Sequence, residues 1–221
     1  MSIIQYLEDG KTCNQPLSTN LYTELREDIL TGKLRSGEKL TEQKICNEYK
    51  VSRTPVREAL RQLETDGLIE NIPNRGAFVL GFSNQDIDDM YVLRKAYEVQ
   101  AVRWAIERIT EDELDEMEET FEFMEFYTLK KDINKMININ TAFHQIIYAA
   151  THNRMLKQIL SSYQIYLKHC NPSNYYAPDY LDTVLDEHRA IYNAFMAKDP
   201  EGGALAMKIH MDNSRNRKFN R

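Results

Sequence analysis

Three histidines in the second half of the chain fall where a helical reading turns them inward. His144 shares a face with Asn140, Phe143, Ile147 and Thr151; His188 shares one with Leu181, Val184, Leu185, Ile191 and Phe195. His210 lies between Ala206 and Ser214, next to Met207 and Met211. A lone inward histidine is more often a satisfied core residue than a ligand. Three from separate helices of one bundle are harder to dismiss, because imidazole is the commonest metal ligand and bundle cores build metal sites this way. Asn140 and His144 stand four residues apart, so both can face one point. Three imidazoles point to a divalent transition metal, zinc or nickel, before calcium or magnesium, which prefer all-oxygen sites. Arg94 is a second oddity, set inside the apolar stripe Ile87, Met90, Tyr97, Ala101 and Trp104. A buried guanidinium needs an anion. Glu98, four residues on, and the carboxylate of a ligand both remain open as that anion. His152 and His169 sit near helix C-termini, where partial positive charge is favourable, and read as structural.

A second set of residues lies nearer the N-terminus. Arg53, Arg57 and Arg61 recur every four residues, so they share one helical face, while Val56, Ala59, Leu60 and Leu63 face the other way. Arginine is suited to bidentate contact with guanine and with phosphate. Thr54 at the helix start can reach a base or a phosphate, and Arg75 at a hairpin tip can reach a neighbouring groove or the backbone. By itself this face reads equally well as a solvated basic surface. The elements around it decide.

Those elements follow in order. A helix over about Thr19–Thr31 is stopped by Gly32. Thr41 caps a second helix over Glu42–Tyr49. After Lys50-Val51-Ser52, a third helix, capped by Thr54 or Ser52 and with Pro55 in its first turn, runs to about Asp66 and ends at Gly67. Leu68–Ile72 and Ala77–Leu80, joined by Pro73-Asn74-Arg75-Gly76, read as a β-hairpin. Helix, helix, helix, hairpin is the order of a winged helix-turn-helix, expected over residues 1–80 with a loose arm at 1–17. Residues 81–84 form the linker. Residues 85–221 then show helical periods only, at about 84–109, 111–131, 133–151, 153–169, 178–197 and 200–217. Short connections between long helices imply an antiparallel bundle, so the expected class is mainly α. Asn171–Tyr180, with Tyr175, Tyr176 and Tyr180, reads as a connector before a pocket cover.

Composition sets bounds on function. With 42% hydrophobic and 28% charged residues, the chain can bury an ordinary core. The net charge of −6 argues against a uniformly basic nucleic-acid binder. The excess is uneven: residues 1–80 hold 11 Lys or Arg against 12 Asp or Glu, and the remainder holds 17 against 22. A docking face needs only local positive charge. No apolar run approaches a membrane span, and the start MSIIQYLEDGK lacks signal-peptide character, so a cytoplasmic protein is expected. Cys13, Cys46 and Cys170 are odd in number and widely spaced, and read as reduced thiols.

The run Val51-Ser52-Arg53-Thr54-Pro55-Val56-Arg57-Glu58-Ala59-Leu60 closely resembles the signature of the GntR family of regulators. Leu63–Ile69, Pro73–Val79 and the upstream Gly32–Leu40 continue the likeness. It implies a dimeric winged helix binding a palindromic double-stranded operator, with Arg53, Thr54, Arg57 and Gly76 at DNA-contact positions. Gln43 departs from the pattern, since some members carry there an arginine that touches DNA. The second half resembles the FCD effector domains of the FadR subfamily, in particular the metal-binding, VanR-like members. The matching residues are Leu93-Arg94, Glu98, Asn140–His144, Glu187-His188 and His210. That likeness implies a metal held by Asn140, His144, His188 and His210. It also implies a small carboxylate effector near it, with Arg94 as a second contact. The first ligand of such members is commonly Asp, so Asn140 removes one negative charge and weaker metal binding is expected.

The leading function is therefore a ligand-responsive transcription regulator, a repressor by expectation, not an enzyme. Two alternatives stand beside it. A metalloenzyme fused to a DNA-binding module would use Glu187 as a base, but helical neighbours point about 100° apart, so Glu187 should not face a metal bound by His188. A scaffold whose bundle serves only dimerisation is the other.

Overall fold

A computed structural model describes residues 17–73, 75–170 and 179–219. The chain divides into two compact units between Ile87 and Asp88.

The N-terminal unit contains helix α1 (Leu17–Leu30), strand β1 (Lys39–Leu40), helices α2 (Glu42–Tyr49) and α3 (Arg53–Thr65), and strands β2 (Ile69–Ile72) and β3 (Gly76–Val79). Thr41 caps α2, its hydroxyl accepting from the Lys44 N–H at 3.2 Å. Lys50 closes that helix in the left-handed region, φ 54°. Ser52 is the N-cap of α3 by its extended backbone, yet its side chain makes no capping bond, and Pro55 is the third residue of the helix. Its N–H would have had no helical acceptor, so the ring costs nothing there. Val56, Ala59 and Leu63 are buried, packed with Leu21, Leu25 and Ile29 of α1. Gly67, at φ 71°, turns the chain from α3 into the sheet.

The sheet has three strands in the order β1-β3-β2, all antiparallel, where the sequence reading expected two. The two-residue β1 is too short to show a period. It forms because Lys39 pairs with Phe78 and Leu40 with Ala77, which buries Leu40. Between Ile72 and Gly76 the hairpin closes with the Arg75 N–H on the Ile72 carbonyl at 3.0 Å. A Cβ on Gly76, at φ 97°, would meet Lys39 Cε at 3.2 Å.

The second unit is built from α4 (Asn84–Arg108), α5 (Glu111–Leu129), α6 (Ile133–Ala150), α7 (Arg154–Cys170), α8 (Tyr180–Met196) and α9 (Pro200–Phe219). Thr110 and Glu113 form a reciprocal capping box at α5, and Asp132 caps α6. Consecutive helices α5 with α6, α6 with α7, and α8 with α9 pack on one another, and α5 also meets α8. Arg103–Glu201, Lys95–Asp212 and Asp88–Arg215 tie α4 to α9 in antiparallel order. Gly203 lets these two helices approach: a Cβ there would fall 2.5 Å from Ile106 Cδ1.

The apolar stripe of α4 differs from the expected one. Its buried residues are Ile87, Met90, Tyr91, Ala101, Val102, Ala105 and Ile106, with Arg94 and Glu98 among them. Tyr97 is 38% exposed and stacks on Tyr163 instead, and Trp104 is half-buried beneath the Arg108 guanidinium. The inward face runs through residues 91, 94 and 98, which turns residue 97 outward. The described helices are not long and apolar enough to cross a membrane. Most of Asn171–Tyr180, the loose arm, Cys13 and the side chains of His169 and Cys170 lie outside the described residues; Cys46 is a free thiol.

Candidate nucleic-acid interface and metal centre

On α3, Arg53, Thr54, Arg57 and Arg61 are all exposed, and Arg75 is exposed beside Gly76 in the hairpin. A concavity of about 550 Å³ separates α3 from the strands, bounded by Arg57, Arg61, Lys39, Arg75 and Gly76. Arg53 and Thr54 lie outside that lining, at the start of the helix. The arginines are held by surface groups. Arg57 Nε donates to Glu42 at 2.7 Å, Arg61 to Glu58 at 3.0 Å and Arg53 to Gln43 at 3.3 Å. Arg75 lies over the Phe78 ring at 5.6 Å. The sequence reading missed Glu42, which faces Arg57 across fifteen residues and had no local spacing to reveal it.

In the helical unit, His144 of α6, His188 of α8 and His210 of α9 are buried together, with one ligand nitrogen of each within 4.8 Å of the others. Each Nδ1 is engaged. That of His188 donates to the Val184 carbonyl at 2.7 Å, that of His144 faces Glu98 Oε2 at 3.3 Å, and that of His210 faces Glu187 Oε2 at 2.8 Å. Glu187 is held ionised: burial alone would raise its pKa, but Arg217 and His210 outweigh it and bring it to about 2. Glu98 is likewise held low, burial being overcome by His144 and Arg94. Ionised carboxylates and carbonyls only accept, so each Nδ1 carries a proton, and in the neutral ring Nε2 keeps a lone pair. The Nε2 atoms of His144 and His210 then stand 3.3 Å apart, lone pair facing lone pair. Buried His188 Nε2 and Asn140 Oδ1 have no hydrogen-bond partner.

Buried acceptors without donors are costly, and a cation among the three imidazoles would relieve theirs at once. This is the arrangement that holds a metal through His Nε2, with each far nitrogen bonded to a carboxylate or carbonyl that fixes the ring. The residues therefore fit a divalent metal. Burial lowers the pKa of His188 and brings that of His210 to about 4, so both rings are neutral and available as ligands at neutral pH.

Arg94 is 8% exposed and donates to Glu98 at 2.9 Å and to the Tyr148 hydroxyl at 3.4 Å. Tyr148 in turn donates to Glu98. Glu98 thus partners Arg94, Tyr148 and His144 at once. The sequence spacing revealed only the first of these, although Tyr148 stands one helical turn from His144 on the same face. Glu187 does not face the point where the imidazoles meet, as the helical angle implies; it backs His210 instead. His152, in the left-handed region at φ 52°, ends α6 and contacts Glu113 at 3.0 Å.

A winged helix-turn-helix followed by a helical domain is the architecture of a two-part DNA-binding regulator. Residues 17–79 match the model of the bacterial regulatory proteins of the gntR family, and residues 89–213 match that of the FCD domain. The chain is 30% identical over 199 residues to the HTH-type transcriptional regulator YdhC of Bacillus subtilis, covering 89% of this chain and 88% of that one. It is 24% identical to the HTH-type transcriptional repressor RspR of Escherichia coli (89% and 86% covered). Its fold matches that of E. coli McbR/YncC with a TM-score of 0.74 at 22% identity, over 94% of this chain and 99% of that one. The protein belongs to the GntR family of transcription regulators, with an FCD domain as its second part. Regulators of this family bind DNA operators and commonly dimerise.

Proposed function

We propose that this regulator is a repressor whose operator affinity is set by a small carboxylate bound beside a divalent transition metal, zinc or nickel, in the FCD domain. The observation that carries this is the buried convergence of the His144, His188 and His210 rings, where His188 Nε2 has no hydrogen-bond partner; Asn140 Oδ1, one helical turn before His144, has none either. His144, His188 and His210 would hold the metal, with the Asn140 oxygen as the fourth protein ligand. When bound, the metal supplies a positive, Lewis-acidic anchor for an anionic effector. Arg94 would offer that effector the N–H groups that Glu98 and Tyr148 do not use. A relative 27% identical to this chain is named as a gluconate operon repressor, and gluconate is a carboxylate.

Residues 1–80 would act as the DNA-reading domain, 81–84 as linker and 85–221 as sensor and dimerisation domain. A homodimer would present two α3 helices to successive major-groove faces of a palindrome, with Arg53, Thr54, Arg57 and Arg61 at bases and phosphates and the Arg75-Gly76 tip at an adjacent groove. The effector would shift the population of DNA-competent arrangements by its differential affinity for them.

Metal analysis of the purified protein, paired with mobility shifts on operator DNA at fixed moderate salt, tests this reading. Small carboxylates are added with the metal present, chelated and restored. Metal near one equivalent per chain and acid-dependent release are expected. Absence of sequence-selective binding sinks the repressor. Unchanged metal content and unchanged release after H144A/H188A would favour the dimerisation scaffold.

A further inference from the structure

Glu187 approaches the imidazole cluster from behind, on the His210 nitrogen that does not face His144. The same carboxylate accepts from Asn213 Nδ2 at 2.8 Å and from both terminal nitrogens of Arg217, each at 2.8 Å. His210, Asn213 and Arg217 are three and then four residues apart, one face of α9 from the imidazole to its last turns. One carboxylate of α8 therefore grips two turns of α9. Its side chain is 8% exposed, so its bonds are shielded from solvent. The Arg217 guanidinium also lies over the ring of Tyr180, the first residue of α8, at 5.9 Å.

We propose that Glu187 is a positioning residue of the metal centre and, through Asn213 and Arg217, a latch that couples metal binding to the docking of the end of α9 on α8. This rests on the reading of the three imidazoles as metal ligands. A carboxylate that accepts from Nδ1 fixes the ring and makes Nε2 a better donor to the metal. A cation on Nε2 polarises the ring and strengthens the Nδ1–H bond to Glu187 in return. The carboxylate is then held more firmly for Asn213 and Arg217. Linkage makes the coupling reciprocal: whatever loosens the latch weakens metal binding by the same factor.

Zinc affinity, by competition with a chromophoric chelator, and amide hydrogen exchange with and without zinc are measured on the full chain. Wild type is compared with E187Q, which keeps the size of the side chain, and with E201Q, which alters an exposed glutamate paired to Arg103. E187Q is expected to bind zinc about 10–100-fold more weakly, and E201Q within about twofold of wild type. Zinc should slow exchange of the amides of residues 213–217 in wild type and not in E187Q. A wild type that takes up no zinc overturns the metal reading itself. Wild-type uptake with E187Q within twofold overturns the positioning role alone. Exchange at residues 213–217 that zinc leaves unchanged in wild type overturns the latch. If E187Q lowers the melting temperature of the metal-free protein, D88N, which breaks the Asp88–Arg215 pair between α4 and α9, serves as the stability-matched comparison; equal losses of zinc affinity in the two variants overturn the proposal.

Discussion

The two sites of this chain hold their charged groups in opposite ways. On α3, Arg57 and Arg61 are 67% and 73% exposed and rest on the surface carboxylates Glu42 and Glu58. In the helical domain Arg94, Glu98, His144 and His210 are buried, and each ring Nδ1 has a fixed acceptor. Surface ion pairs contribute little, so an arginine can exchange its carboxylate for phosphate or guanine at small cost. A buried pair that loses one member leaves a charge stranded in a poor solvent. A DNA-reading face has to exchange partners when the operator arrives. A metal site has to present the same lone pairs before and after its ligand does.

The largest effect expected from this contrast is at the buried site. His188 Nε2 has no hydrogen-bond partner, so on the proposed reading H188A would remove a ligand and not merely a support. Metal affinity should fall by more than the roughly 10–100-fold expected of an outer partner, read as metal retained after dialysis. Stoichiometric metal in purified H188A would mean that the imidazoles are a core cluster and nothing more.

The same contrast explains what could be read from the sequence. The DNA-reading half is made of local signals: a cap at Thr41, a proline in the first turn of α3, glycine after its end, and arginines at helical spacing. Strand β1 and the Glu42–Arg57 pair escaped, because each joins residues that are not sequence neighbours. The three histidines were legible from their helical faces, as was the Arg94–Glu98 pair from its spacing. The assignments of Glu98 to His144 and of Glu187 to His210 were not, since they join residues 46 and 23 positions apart on different helices. Which turn of one helix meets which turn of another is set by bundle packing. Tyr97 was misplaced for a related reason: on a long helix, a stripe counted through the wrong residue drifts onto the solvent side.

Acid should separate the domains next. In the folded, metal-free protein burial lowers the His210 pKa to about 4, opposed only in part by its bond to Glu187, and holds that of His188 well below its usual value. The groups around them are His144, Glu98, Glu187 and Arg217. In the unfolded chain a histidine titrates near 6.5. Between those values the unfolded chain binds more protons, so stability present above about pH 6.5 is lost as pH falls toward 4. The melting temperature of the metal-stripped helical domain within the full chain should drop across this window, and H210Q should flatten the drop. A profile with the same slope in H210Q would show that the loss arises elsewhere.

On the exposed side the effects are smaller and show in binding, not in stability. R57A should leave the melting temperature nearly unchanged while operator affinity falls roughly 5- to 150-fold, if Arg57 reads a guanine. If it holds a phosphate, binding should weaken alike on all sequences and the salt slope should fall by about one. A fluorescence-anisotropy titration on operator and on random duplex, each at several salt concentrations, separates the two. A variant that binds both duplexes like wild type would remove Arg57 from the interface.

The smallest expected change is also the sharpest test of exchangeable partners. Glu42 lies in the concavity beside α3 and is the group that Arg57 must leave when it engages DNA. E42Q keeps a hydrogen-bond acceptor but removes a negative charge from a surface that faces phosphates. If Glu42 only parks the arginine, E42Q should tighten binding to operator and random DNA alike, by no more than a few fold, with a gain that fades as salt screens the charge. A loss confined to the operator would contradict the parking role. Glu42 would then be working in the complex, either aiming Arg57 or accepting from a cytosine amino group. The exposed site would in that event share the property argued for the buried one: a carboxylate whose partner is kept, not exchanged.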